Sequence, residues 1–174
     1  MAPILNKEQD LKSKLKSMDS QERMNAYKKC GFTEDAFYDG DVDIRIEAYK
    51  ELGFNKMALT DEDHLVRLLG YKELGFDKTS LEDMSPSVRI EAYNTLGYTS
   101  KALSDENDVI RLKAYRELGF TKESLDDKYI MIRHEALEYF MNCQGILELE
   151  KIRHNFSEDE KAILRMNNVP VFEQ

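Results

Sequence analysis

Arginine returns at one position along this chain, as Arg23, Arg45, Arg67, Arg89, Arg111 and Arg133, with 22 residues between successive copies. An aspartate precedes all but the first, at Asp39, Asp61, Asp83, Asp105 and Asp127, in the wording D-x-x-x-x-[VI]-R. A row of guanidinium groups can grip phosphates or carboxylates on a ligand. Here the chain supplies a carboxylate at every step, and a charge near a helix surface that is paired in every unit is structural, so an internal Asp–Arg ladder is expected. Tyr27, Tyr49, Tyr71, Tyr93 and Tyr115 follow their arginines by four residues and share a helix face with them. Such a stripe can stack nucleic-acid bases; more often it lines a core or groove, and the same holds for Phe32, Phe54, Phe76, Tyr98 and Phe120.

Other chemistry is thin. His64, His134 and His154 fall in unrelated positions, and no nucleophile elbow, phosphate-binding loop or paired-cysteine zinc site is present. His134, Cys143 and His154 lie loosely together near the C-terminus, at a spacing that matches no metal-ligand pattern. The sequence therefore points away from an enzyme and requires no metal or cofactor.

The elements that carry these residues repeat as a tandem array: IRIEAYKELGF from Ile44, VRLLGYKELGF from Val66, VRIEAYNTLGY from Val88, IRLKAYRELGF from Ile110. Four residues before each arginine stands Asp19, Asp41, Asp63, Ser85, Asn107 or Tyr129; all but the tyrosine are N-cap types. Pro86 suits a first helical position. Each helix should run to Gly31, Gly53, Gly75, Gly97 or Gly119, placed for a left-handed stop. Thr33, Asn55, Asp77, Thr99 and Thr121 then read as caps of a short second helix anchored by Phe37, Leu59, Leu81, Leu103 and Leu125. The predicted core of a unit is Ile44, Ala48 and Leu52 with Ile46 and Tyr49, and Cys30, standing where leucine stands later, is read as a small core residue. The column Ala26, Ala48, Gly70, Ala92, Ala114, Ala136 stays small enough for close helix packing.

These patterns predict an all-α chain built as an α-solenoid of short helical repeats with capping helices at both ends. Residues 1–22 form the N-terminal cap, with a helix over Lys7 to Met18; residues 23–132 form five repeats; residues 133–174 hold a degenerate sixth repeat, a C-terminal helix opened by a Ser157–Glu160 capping box, and a tail from Asn168. The D-x-x-x-x-[VI]-R wording, with the aspartate in a turn and the arginine in the next helix, resembles the signature of HEAT repeats. The 22-residue unit and tight second helix look more like leucine-rich repeat variants. The resemblance covers roughly Arg23 to Ala136 and implies a scaffold, adaptor or inhibitor, with nucleic-acid enzymes a rarer use of such arrays.

A hydrophobic share of 41% excludes a disordered chain, and the formal net charge of -9 argues against wholesale nucleic-acid binding. The first twenty residues hold no apolar run of signal-peptide length and no membrane-spanning segment is visible, so a cytoplasmic protein without membrane contact is expected. Surface charge sorts by column. Lys28, Lys50, Lys72 and Arg116, with Lys56, Lys78 and Lys122, form a basic edge beside Glu51, Glu73 and Glu117. Asp61, Glu62, Asp63, Asp105 and Glu106 form an acidic one. Helix-terminus preferences account for much of this pattern. The remainder is a candidate docking surface, for a protein partner first and for nucleic acid, through the Lys/Arg edge and tyrosine ladder, second.

Overall fold

The structure, a computed structural model, describes Leu15, residues 18–144 and residues 156–166. The helix expected over Lys7 to Met18 and the tail from Asn168 therefore lie largely or wholly outside the described residues. Among the described residues the chain is all-α, with no strand. Seven α-helices are described: α1 (Ser20–Cys30), α2 (Val42–Leu52), α3 (His64–Leu74), α4 (Pro86–Leu96), α5 (Asp108–Leu118), α6 (Ile130–Tyr139) and α7 (Glu158–Met166). Between the first six run short 3₁₀ helices at Glu34–Tyr38, Ala58–Thr60, Ser80–Glu82, Ser100–Ser104 and Lys122–Asp126, and α6 ends in a π-helical turn, Phe140–Gln144. The chain divides into two compact units, residues 1–88 and 89–174.

Starts and stops follow from local chemistry. The Asp19 carboxylate accepts from the Glu22 N–H at 2.8 Å while Glu22 reaches back to the Asp19 N–H, a full capping box. Asp41, Asp63 and Asn107 accept from backbone N–H groups in the first turns of α2, α3 and α5, satisfying donors that have no intrahelical partner. The expected caps of the short helices are met only in part. Asn55 accepts from the Met57 N–H and Asp77 from those of Thr79 and Ser80, whereas Thr33, Thr99 and Thr121 make no side-chain cap.

The glycines end each helix by a different route from the one expected. Gly53 has φ 96° and ψ 139°, a mirror-image extended conformation rather than the left-handed helical one, and Gly31, Gly75 and Gly119 match it. This region is open essentially to glycine alone. The Gly53 N–H still closes the helix by donating to the Tyr49 carbonyl at 2.9 Å.

The helices α2, α3, α5 and α6 each pack on the 3₁₀ helix before them. In the first unit Tyr27, Ala36, Phe37, Ile44, Ala48, Tyr49, Ala58 and Val66 are buried together with Leu15. The residue that lets the two elements meet is one the sequence reading passed over: Ala36, Ala58, Ser80, Ala102 and Ser124, each with no exposed surface. The serines are tolerated because each hydroxyl donates to a carbonyl three residues back, Ser80 to Asp77 and Ser124 to Thr121. At Gly70 a Cβ would lie 3.0 Å from the Ala58 Cβ, so the small-on-small contact is already tight.

Burial stops at the tyrosine. Leu52, Leu74, Leu96 and Leu118, expected in the core, are exposed, at 45%, 45%, 45% and 47%, and Cys30 is exposed with them. Helical periodicity puts these residues on the inward face, but cover for that face ends one turn earlier. In the second unit Leu125, Ala136, Leu137, Phe140 and Leu164 are buried together, with Phe120, Phe156 and Ile163 against them, so the expected C-terminal helix does pack on the sixth repeat.

The glycine conformation gives a clean test. A Cβ on Gly53 would meet nothing within 4 Å, so Gly53→Ala is strained through its backbone alone. It should lower unfolding free energy by about 1–3 kcal/mol in urea melts, with an unchanged m-value.

Candidate functional site: the arginine ladder and the exposed edges

The arginines lie in the first turns of their helices and reach the aspartate turns that follow. Arg45 donates through Nε and Nη2 to both carboxylate oxygens of Asp61, each at 2.9 Å, and through Nη1 to the Asp39 carbonyl at 2.8 Å. Arg67 does the same with Asp83 (2.8 and 2.8 Å) and the Asp61 carbonyl (2.8 Å); Arg111 does so with Asp127 (2.8 and 2.8 Å) and the Asp105 carbonyl (2.8 Å). Arg23 forks onto Asp39 and Arg89 onto Asp105. Each guanidinium thus grips the carboxylate of the aspartate turn after its helix, and Arg45, Arg67 and Arg111 also hold the carbonyl of the turn before it. The ladder is real, and its carboxylate partner is the aspartate sixteen residues on, not the one within the same motif.

Each aspartate does a second job. Its Oδ1 accepts from the backbone N–H two residues later: Asp41 onto Asp39, Asp63 onto Asp61, Ser85 onto Asp83, Asn107 onto Asp105, Tyr129 onto Asp127, at 2.7–2.9 Å. The same carboxylate that answers the arginine therefore shapes the loop that delivers the next N-cap. Burial works to raise the Asp39, Asp105 and Asp127 carboxyls, but hydrogen bonds from their arginines and from those backbone N–H groups hold all three below the ordinary carboxylate range. The arginines are pushed the other way by their aspartates and stay charged.

The sixth rung ends differently. Arg133 donates through Nη1 to the Asp127 carbonyl at 2.9 Å, as its predecessors do, but its carboxylate is Glu160, on the first turn of α7 (2.8 Å). Ser157 and Glu160 form the expected capping box, so this glutamate serves both as cap and as rung. The pairing was not foreseen; the only sequence signal was that position 149, sixteen after Arg133, is leucine.

The tyrosines are buried, and each stacks on the aromatic five residues later: Tyr27 on Phe32, Tyr49 on Phe54, Tyr71 on Phe76, Tyr93 on Tyr98, Tyr115 on Phe120, with centroids 5.3–5.7 Å apart. Their ring faces are spent inside the protein. Of the acidic edge, Asp61 and Asp105 are rungs and Asp63 is a cap, which leaves Glu62 and Glu106 outermost, near Arg45 and Arg89.

Lys28, Lys50, Lys72, Lys56, Lys78 and Lys122 are exposed, as are Glu51, Glu73 and Glu117. Lys50 holds Glu47 at 2.7 Å, and Arg116 forks onto Glu135 of α6 at 2.8 and 2.5 Å, an ion pair that sequence columns did not reveal because the two residues belong to different ones. Among the described residues no group of histidine, cysteine, aspartate and glutamate is arranged to hold a metal ion. His154 lies outside the described residues, as does the Cys143 side chain. No described helix is long and apolar enough to cross a membrane. Comparison with protein-family models, curated proteins and solved structures gave no significant match.

Two outcomes follow from the ladder. Asp61→Ala strands the buried Arg45 guanidinium and should cost on the order of 3–5 kcal/mol in chemical denaturation. The pH dependence has a definite sign. Carboxyls held low in the fold contribute stability that is present above their unfolded values, roughly pH 4, and is lost as pH falls through the folded values. Thermal melts should therefore be flat near neutrality and fall steeply below about pH 4, and Asp105→Asn should make that fall shallower.

Proposed function

We propose that the chain is an α-solenoid of the HEAT-like kind, with the short unit of leucine-rich repeat variants, and that it serves as a non-enzymatic scaffold, adaptor or inhibitor which binds another protein. The observation that supports this reading is the recurrent half-exposed leucine. Leu52 and Leu74 in the first unit, and Leu96 and Leu118 in the second, leave apolar surface in water at the same place in four successive repeats. Exposed lysines and glutamates flank them: Lys50 and Glu51, Lys72 and Glu73. Burying a leucine fully is worth about 1.5–3 kcal/mol, so the half-exposed pair within each unit is a reserve of binding energy for a partner surface with matching apolar points and mixed charge.

Nucleic acid fits this edge less well. Glu51, Glu73 and Glu117 sit among the lysines and repel phosphates, and the tyrosines that would stack bases face their own phenylalanines.

A paired experiment separates the two. Leu52→Ser with Leu74→Ser should leave stability within about 0.5 kcal/mol, since both sites are surface positions, and abolish capture of the protein partner from the native host. Oligonucleotides should give no gel shift at low salt. A salt-sensitive shift lost on reversing Lys50 and Lys72 to glutamate would replace the protein-binding reading with the nucleic-acid one.

A further inference from the structure

The outward side of α3 departs from the repeat. Its inward side buries Val66, Arg67, Gly70 and Tyr71, while Leu65, Leu68, Leu69 and Lys72 stand at i, i+3, i+4 and i+7 and so share the opposite side. At the position of Leu69 the other helices of the array carry Asn25, Glu47, Glu91, Lys113 and Glu135, all residues suited to water. At the position of Leu65, α2 carries Asp43 and α4 carries Ser87. Leu65 is 45% exposed, and Leu68 and Leu69 are partly buried. A helix that is apolar on both sides belongs under cover on both, and the first unit covers only one side of α3. The ends of this stripe carry opposite charge. At the C-terminal end Lys72 is exposed and, among the described residues, holds no carboxylate. At the N-terminal end Asp61 is a rung and Asp63 a cap, but Glu62, 3.5 Å from Arg45, keeps 82% of its side chain exposed.

We propose that this stripe is covered by a second copy of the same chain, through an antiparallel, two-fold pairing of α3 with α3. The argument for that occupant is self-complementarity. A face that is acidic at one end, apolar in the middle and basic at the other matches itself when reversed: a two-fold axis near Leu68 and Leu69 sets leucine against leucine and brings Lys72 of each copy to Glu62 of the other. Elsewhere two chains of formal net charge -9 repel, and salt confines that repulsion to about 8–10 Å, so contact forms where the charges alternate in sign. One helix per copy buries less than the roughly 1,200 Å² of a standard interface, so the pairing is reversible, with a dissociation constant on the order of 100 µM. The surface is separate from the Leu52 and Leu74 edge and does not depend on what binds there.

Sedimentation equilibrium of the full chain, from about 5 µM to about 1 mM, tests the pairing and should show monomer passing into dimer. Leu65→Ser with Leu69→Glu gives α3 the outward residues of α4, Ser87 and Glu91, so the fold and its thermal melt should survive while the dimer weakens by at least roughly 10-fold. Lys72→Glu alone and Glu62→Lys alone should each weaken it, by about 3- to 10-fold, because like charges then meet at both ends. Glu62→Lys has a precedent in Lys128, which stands after Asp127 as Glu62 stands after Asp61. Mixed in equal amounts, these two single variants should form a heterodimer tighter than either forms with itself, since both ends then oppose lysine to glutamate. A monomer throughout the range would show that no second copy covers the stripe. A dimer unaffected by Leu65→Ser with Leu69→Glu would place the contact elsewhere, and a mixture no tighter than its components would rule out the antiparallel arrangement. Any of these three results overturns the proposal.

Discussion

A guanidinium taken out of water has to be answered by a carboxylate in one particular place, and for the five arginines from Arg23 to Arg111 that place is the next aspartate turn of the chain. Arg45, Arg67, Arg89 and Arg111 are almost wholly buried, and each is forked onto an aspartate sixteen residues later. A buried pair of this kind contributes little net stability compared with apolar residues of the same volume; breaking it is what costs, because one charge is left without an answer. The ladder therefore acts mainly on register. The planar fork accepts the carboxylate in one orientation, so the spacing of each helix from the following turn is set by chemistry rather than by the less specific fit of apolar surfaces.

The remaining features of the repeat serve that spacing. The turn must place its aspartate under the previous arginine and, two residues on, start a helix; the carboxylate does both by accepting the guanidinium and a backbone N–H together. The helix must then stop sharply enough for the 3₁₀ helix to return to the next helix, and a glycine at φ above 90° makes the reversal. Where the 3₁₀ and α-helices touch, only a side chain the size of alanine or serine fits, as Ala58 against Gly70 shows. Tyrosine and phenylalanine five residues apart fill the width that remains.

Reading the sequence by columns made the units, the N-caps and the ladder legible, since a position that repeats its chemistry repeats its environment. It failed where two columns meet in space. Asp39 and Asp61 carry identical wording, so the motif alone could not say whether Arg45 takes the carboxylate before it or after it; the structure divides the roles, carbonyl from the first and carboxylate from the second. The leucines of the E-L-G word were assigned inward because periodicity reports a direction and not the extent of cover, and cover ends at the tyrosine. The buried Ala36 and Ser80 were overlooked because small residues give weak hydropathy signals even where they decide how closely elements approach. Glu160 lay outside the repeat and had no column at all.

What the array presents to its surroundings is accordingly not what it repeats most visibly. The repeated arginine, aspartate and tyrosine are turned inward, and the last turns of α2 and α3 hold lysine, glutamate and leucine outward, with arginine in place of lysine in α5. All of this rests on the ladder holding adjacent elements in register, and one double-mutant cycle addresses that directly. Unfolding free energies of Arg111→Ala, Asp127→Ala and the double variant should be non-additive by about 1–3 kcal/mol, with the double variant no less stable than the worse single. Additivity within about 0.5 kcal/mol would mean that the two side chains act independently, and would contradict the ladder as the organising interaction of the fold.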